Sequence, residues 1–191
     1  TSITAPNSVD SGNNTNWFSV PVNVSGSAFT DFGVTPLADG VMITMLINGT
    51  SFGSTATGGG TGAYSFASVI LASGDALLVY VDDNATQGNT ATLAVADTAI
   101  AGLDIYGGTL IVTHESAGPI TNANLSTAKG ASVDADILYS VSTGNLTTTQ
   151  GLYVWPAKTF APGGTVSVGT NLELRGNMNM AANALTVTGN Y

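Results

Sequence analysis

Between Val166 and Val187 the chain reads VSV-GTN-LEL-RGN-MNM-AANA-LTV, a repeated alternation of three-residue segments with apolar ends and short polar turns. Strands this short cannot form a stable sheet alone. They are stable when each coil of chain stacks on the one before it and residues in register share one interior. The spacing therefore predicts a β-solenoid. Apolar pairs two residues apart, bounded by Gly or Asn, extend that reading back over residues 99–191. They include Leu103/Ile105, Leu110/Val112, Ile137/Tyr139/Val141 and Leu152/Val154, with Ile120, Leu125 and Leu146 standing singly. Tyr153, Trp155, Pro156, Phe160 and Pro162 interrupt the spacing, so the rung count stays open and a second, antiparallel β-sandwich is the alternative for this half.

The first half carries a different pattern. Phe18, Val20, Val22 and Val24 alternate with other residues, the period of a strand with one buried face, and Pro21 on the opposite parity marks an edge or a bulge. Further runs at Val41–Asn48, Tyr64–Leu71, Ala76–Val81 and Thr90–Val95 are separated by Gly-rich or Asp/Asn-rich breaks. Short strands at such intervals, without a helix-period segment, predict a β-sandwich. The whole chain is thus expected to be all-β, with a sandwich over residues 1–98 and a solenoid over residues 99–191. Charge supports that division: residues 1–98 hold seven Asp and no Lys or Arg, whereas residues 99–191 hold five acids and all three bases.

Charged side chains make up only 8% of the chain, which leaves Thr, Ser, Asn and Gly to keep the surface wet and removes most strong helix formers. Three bases against twelve acids give 3 − 12 = −9, so nucleic acid and anionic membrane are excluded as expected partners. Cys is absent, which rules out disulfides and thiol chemistry. No apolar stretch approaches the length of a membrane span. A start at Thr1 without Met or a charged leader is read as a mature or excised segment.

Residues Gly62–Phe66 (GAYSF), followed by Val69, Leu71, Gly74-Asp75 and Leu78–Val81, resemble a penultimate-strand pattern of bacterial immunoglobulin-like domains, over residues 2–98. Gly164–Val168 (GTVSV) and Asn183–Tyr191 (NALTVTGNY) resemble the parallel β-helices of autotransporter passengers and haemagglutinin-like adhesins. The combination is similar to the giant repetitive surface proteins of bacteria. That resemblance implies export to the cell surface and a role in adhesion or scaffolding.

Few residues suggest chemistry. The single histidine, His114, adjoins Glu115, but neighbours on a strand point to opposite faces and cannot form an acid–base pair there. Asp134 and Asp136 could share a strand face as a glycosidase pair, and read more simply as turn residues ahead of Ile137–Val141. Asp82 and Asp83 close a strand in a region without positive charge, where calcium would relieve repulsion; an Asp-Asn turn is the simpler reading. Gly58–Gly60 lacks the Lys and helix of a phosphate cradle and reads as a hairpin loop. Tyr153 and Trp155, with Trp17 and Phe160, read as core first and as a stacking platform for glycans second.

The resulting expectation is a non-catalytic, secreted or cell-surface structural protein, a segment of a filament, stalk or coat, with a carbohydrate-binding adhesin as the alternative. Assembly would use the undefended last coil at Leu185, Val187 and Tyr191. It would be covered by a longer parent chain or by the next copy in a homopolymer, with Ile3 in the short Thr1–Pro6 segment as a donated strand.

Overall fold

The computed structural model describes residues 19–115 and 118–191. The fold is all-β with a β-solenoid in its C-terminal part. Ile3, Trp17 and Phe18 lie outside the described residues.

The first part supplies β1 (Val22–Phe29), β2 (Met42–Ile47), β3 (Thr50–Ala56), β4 (Ala63–Val69), β5 (Ala76–Asp82) and β6 (Asn89–Leu93). β3 was not expected. It is an exposed edge strand, TSFGSTA, joined to β2 through Asn48 and Gly49, both with positive φ (50° and 76°), as a tight two-residue hairpin turn demands. Of the edge or bulge expected at Pro21, β1 is no edge, lying between β4 and the strand Ile105–Tyr106, and the β1–β4 pairing has a register shift between Val22 and Val24. Gly58–Gly60 lies in the β3–β4 connection, as the loop reading requires.

After β6 the chain crosses to a second sheet, where β7 (Ile105–Tyr106) pairs in parallel with β1, and returns as β8 (Thr109–Val112) in parallel with β6. One sheet has the order β4-β1-β7. The other runs β14-β11-β8-β6-β5-β2-β3, seven strands spanning the expected boundary near residue 98. An immunoglobulin-type sandwich places strands 1, 2, 5 and 4 in one sheet and 3, 6 and 7 in the other; that order is not the one found.

The long sheet is covered on both faces at β5, β6 and β8, which explains the unbroken apolar run of β5. Leu77, Val79 and Val81 face the short sheet together with Val24, Phe66 and Ile105. Ala76, Leu78 and Tyr80 face the opposite way, into the interior shared with the solenoid.

The solenoid is built from β9 (Tyr139–Ser142), β10 (Asn145–Thr148), β11 (Gly151–Val154), β12 (Thr159–Phe160), β13 (Val166–Val168), β14 (Leu172–Leu174), β15 (Asn177–Met178) and β16 (Leu185–Val187), stacked in about five turns. The pairings β8–β11–β14, β10–β13–β16 and β12–β15 are all parallel, which replaces the antiparallel alternative. Register partners are 20 residues apart at Leu146/Val166 and Leu152/Leu172, 19 at Val166/Leu185 and 18 at Phe160/Met178. The coils from β10 onward thus take about twenty residues each, whereas Leu110 and Leu152 lie 42 apart because a helix and β9 are inserted between them; an aliphatic ladder runs inside.

A helix, α1 (Asn122–Lys129), interrupts the expected strand pattern, and Leu125 lies on it rather than on a strand. Thr121 caps its first turn through a reciprocal bond with Asn124, Gly130 ends it, and Leu125 and Ala128 are buried against the long sheet's interior face. The solenoid's N-terminal end is covered in this way.

Candidate functional site

On the outer face of the long sheet, register sets Tyr153 of β11 beside Ile111 and Glu173, and Trp155 follows at the corner of the coil. β7 brings Tyr106 alongside, and the loop after β1 brings Phe32. Ring centroids lie 5.6 Å apart for Tyr153–Trp155, 5.8 Å for Tyr106–Tyr153 and 6.1 Å for Tyr106–Trp155, while Phe32 sits 4.9 Å from both tyrosines. Most of these contacts are edge-on or tilted, the arrangements that the ring quadrupole favours. Tyr153 is buried by its neighbours, Tyr106 and Trp155 are half-buried, and Phe32 is exposed. Phe160 is not part of this strip: it is fully buried inside the solenoid. Tyr106 and Phe32 were missed in the sequence because they lie some 50 and 120 residues from Tyr153, and only the crossover through β7 brings them together.

The carboxylates regroup as well. Asp82, Asp134 and Asp136 present oxygens that all lie within 4.8 Å of one another, joining one half of the expected calcium pair to the expected glycosidase pair. Asp83 contributes its backbone N–H instead, donated to Asp136 Oδ2 at 2.7 Å. Gln87 donates to Asp136 Oδ1 (2.6 Å), Tyr80 to Asp134 Oδ2 (3.0 Å), Thr44 to Asp82 Oδ2 (2.5 Å), and the Asp136 N–H to Asp134 Oδ1 (2.9 Å). Burial first, then the bond and charge of Asp134, raise the Tyr80 hydroxyl far above the ordinary phenol range. Oxygens of this kind are calcium donors, and the hydrogen bonds they accept account for the cluster as a clamp between the β5–β6 turn and the segment before β9. The turn reading of Asp134 and Asp136 agrees with that role.

His114 is half-buried at the end of β8, and its Nε2 accepts the Thr159 N–H at 3.0 Å, linking successive coils. Its Nδ1 is buried without a partner among the described residues. Burial, then the nearby Lys158 charge, lowers its pKa from the ordinary 6.5, with Glu115 opposing. The neutral ring is needed because a protonated Nε2 would face the Thr159 donor. For such a depressed group, stability is complete above pH 6.5 and is lost as pH falls through the folded-state value. The expected outcome is a melting temperature that declines on acidification from pH 7 to 5, with a shallower decline in His114→Gln, which keeps an acceptor but does not titrate. Identical slopes in the two proteins would remove His114 from the account.

At the far end of the solenoid, Leu172, Leu174, Leu185, Val187 and Tyr191 line an open groove of about 700 Å³. Leu174 is 47% and Leu185 40% exposed, while Val187 is partly buried. The charges beside them, Glu173 and Arg175, pair with each other at 2.6 Å. Among the described residues no helix is long and apolar enough to cross a membrane.

Together these features define an all-β protein with a β-solenoid that carries an aromatic strip on its long outer face. Comparison with known protein families, curated proteins and solved structures gave no match.

Proposed function

We propose that the chain is a non-catalytic structural segment of a secreted or cell-surface assembly, akin to the solenoid-bearing surface proteins of bacteria that its sequence resembles, and that its last coil is covered by another strand, either of a further copy or of a longer parent chain. The observation carrying this reading is the aliphatic ladder that runs in register through Val166 and Leu185 and leaves Leu174 and Leu185 exposed over a nearly uncharged face. β16 lies at the edge of its sheet beside this apolar surface, the geometry onto which a further strand adds, whether from a copy or from continuing chain. The opposite end differs in kind, because α1 covers it.

The expected result is concentration-dependent growth in light scattering of residues 1–191, with elongated particles in electron micrographs. Leu185→Asp should suppress that growth without lowering stability by more than about 1 kcal/mol, since the site is already partly wet. A chain that stays monomeric at high concentration would refute self-association. Deleting residues 1–6 separates two routes: loss of assembly supports strand donation around Ile3, whereas unchanged assembly places the contact on the coil face alone.

A further inference from the structure

A second function is suggested by the cleft beside Trp155, and it does not depend on self-association. Residues 101–104, in the crossover before β7, lie beside Thr90 of β6, Thr113 and the Trp155–Lys158 corner, leaving a cleft of about 110 Å³. Trp155, Asp104, Glu115 and Lys158 are among the residues that line it. Asp104 Oδ1 accepts the Ser27 N–H at 2.9 Å, and Glu115 Oε1 accepts the Thr92 hydroxyl at 3.3 Å. Among the described residues neither carboxylate forms an ion pair. Lys158 Nζ donates to the His114 carbonyl, and an ammonium has two more N–H groups to give.

An aromatic wall flanked by carboxylate acceptors and an ammonium donor is the set of groups that reads a sugar, whose C–H face stacks on the ring while its hydroxyls both donate and accept. Partly buried acceptors without cations are satisfied by hydroxyl donors at no cost in charge. Burial raises the Asp104 carboxyl from its ordinary value, with the Ser27 N–H opposing. Two carboxylates against one ammonium disfavour an anionic sugar, and Lys158 disfavours a metal ion.

The surface continues away from Trp155 over Tyr106 and Phe32 to a second cleft of about 210 Å³, bordered by Gly107, Gly108, Gly151, Asn171 and Glu173. Each cleft is small, and the aromatic strip lies between them. We propose that this face binds a neutral oligosaccharide, one sugar seated against Trp155 between Asp104, Glu115 and Lys158, and further sugars laid along the rings toward Phe32.

The test uses residues 1–191 on an array of neutral and uronic-acid oligosaccharides, followed by calorimetric titration of the best neutral array ligand. Binding of neutral glycans, with uronic-acid glycans weaker, is expected. Trp155→Ala should abolish it, and Glu115→Gln and Asp104→Asn should each weaken it about tenfold, the value of one charge-assisted hydrogen bond. These two isosteric variants keep an acceptor for Thr92 and Ser27, so an unchanged melting temperature and circular dichroism spectrum would separate loss of binding from loss of fold. The proposal is overturned by the absence of any neutral ligand, by preference for uronic-acid glycans, or by wild-type affinity in both Trp155→Ala and Glu115→Gln.

Discussion

Asn89→Leu is expected to lower the melting temperature by roughly 10 °C, corresponding to about 4 kcal/mol in a chain of this size. Asn89 is fully buried in β6 between Tyr80 of β5 and Leu110 of β8, and its side chain serves as partner to the backbone before β9. Its Oδ1 accepts the Leu138 N–H at 2.6 Å and its Nδ2 donates to the Asp136 carbonyl at 2.9 Å, fastening the segment before β9 to the long sheet. Leucine fills similar space but leaves a buried donor and a buried acceptor without partners, at about 1–3 kcal/mol each. The loss should also loosen the Asp82–Asp134–Asp136 clamp, because Asp136 is held on both sides of its peptide. Thermal unfolding followed by circular dichroism checks the value. A fall of less than about 3 °C would mean that water or a small backbone shift replaces both bonds, and that the side chain is not the fastener.

The second large effect is expected at Phe160, where alanine should cost about 3–5 kcal/mol. This ring is fully buried at the narrow third side of the solenoid, bridged to Ile120 on one side and paired with Met178 on the other. Its removal would leave a cavity that rigid coil backbones cannot close. Since each coil is supported mainly by its neighbours, the damage should spread toward β16. Hydrogen exchange in residues 166–187 is therefore expected to quicken more than in β2 and β5. Uniform acceleration through the whole chain would instead show that the first part and the solenoid unfold as one unit. Phe160→Leu, which retains most of the volume, should recover more than half of the loss.

The two sites show which parts of the fold were legible in the sequence. Phe160 stands among the residues that interrupt the apolar spacing, so a pattern of pairs gives it no place inside a coil. Asn89 lies one residue before an apolar run and reads as a turn residue, because nothing local announces a buried amide pairing with backbone some fifty residues away. β3 was missed because an edge strand with exposed side chains carries little periodicity, although Asn48-Gly49 was a usable hairpin signal. α1 was missed because only a few of its residues are buried, although Thr121, Asn124 and Gly130 held its cap signals. The candidate sites divide in the same way. Tyr153 and Trp155 were visible as neighbours, whereas Asp104, Glu115 and Lys158 became a cleft only when the chain crossed between sheets.

The sequence by itself determined that the protein is all-β, that its C-terminal part stacks as a solenoid, and where β2, β5, β13 and β14 lie. Alternation and turn residues act over a few positions, and each segment carries its own record of which faces meet water. Tertiary structure alone decided that one sheet runs from β3 to β14 across residue 98, that Asp82 meets Asp134 and Asp136, and that Tyr106 completes the aromatic strip. Those outcomes depend on which strand edges pair after the chain has crossed from one sheet to the other. Backbone hydrogen bonds are the same for every residue, so no local pattern names the partner; burial of both faces of β5, β6 and β8 selects it.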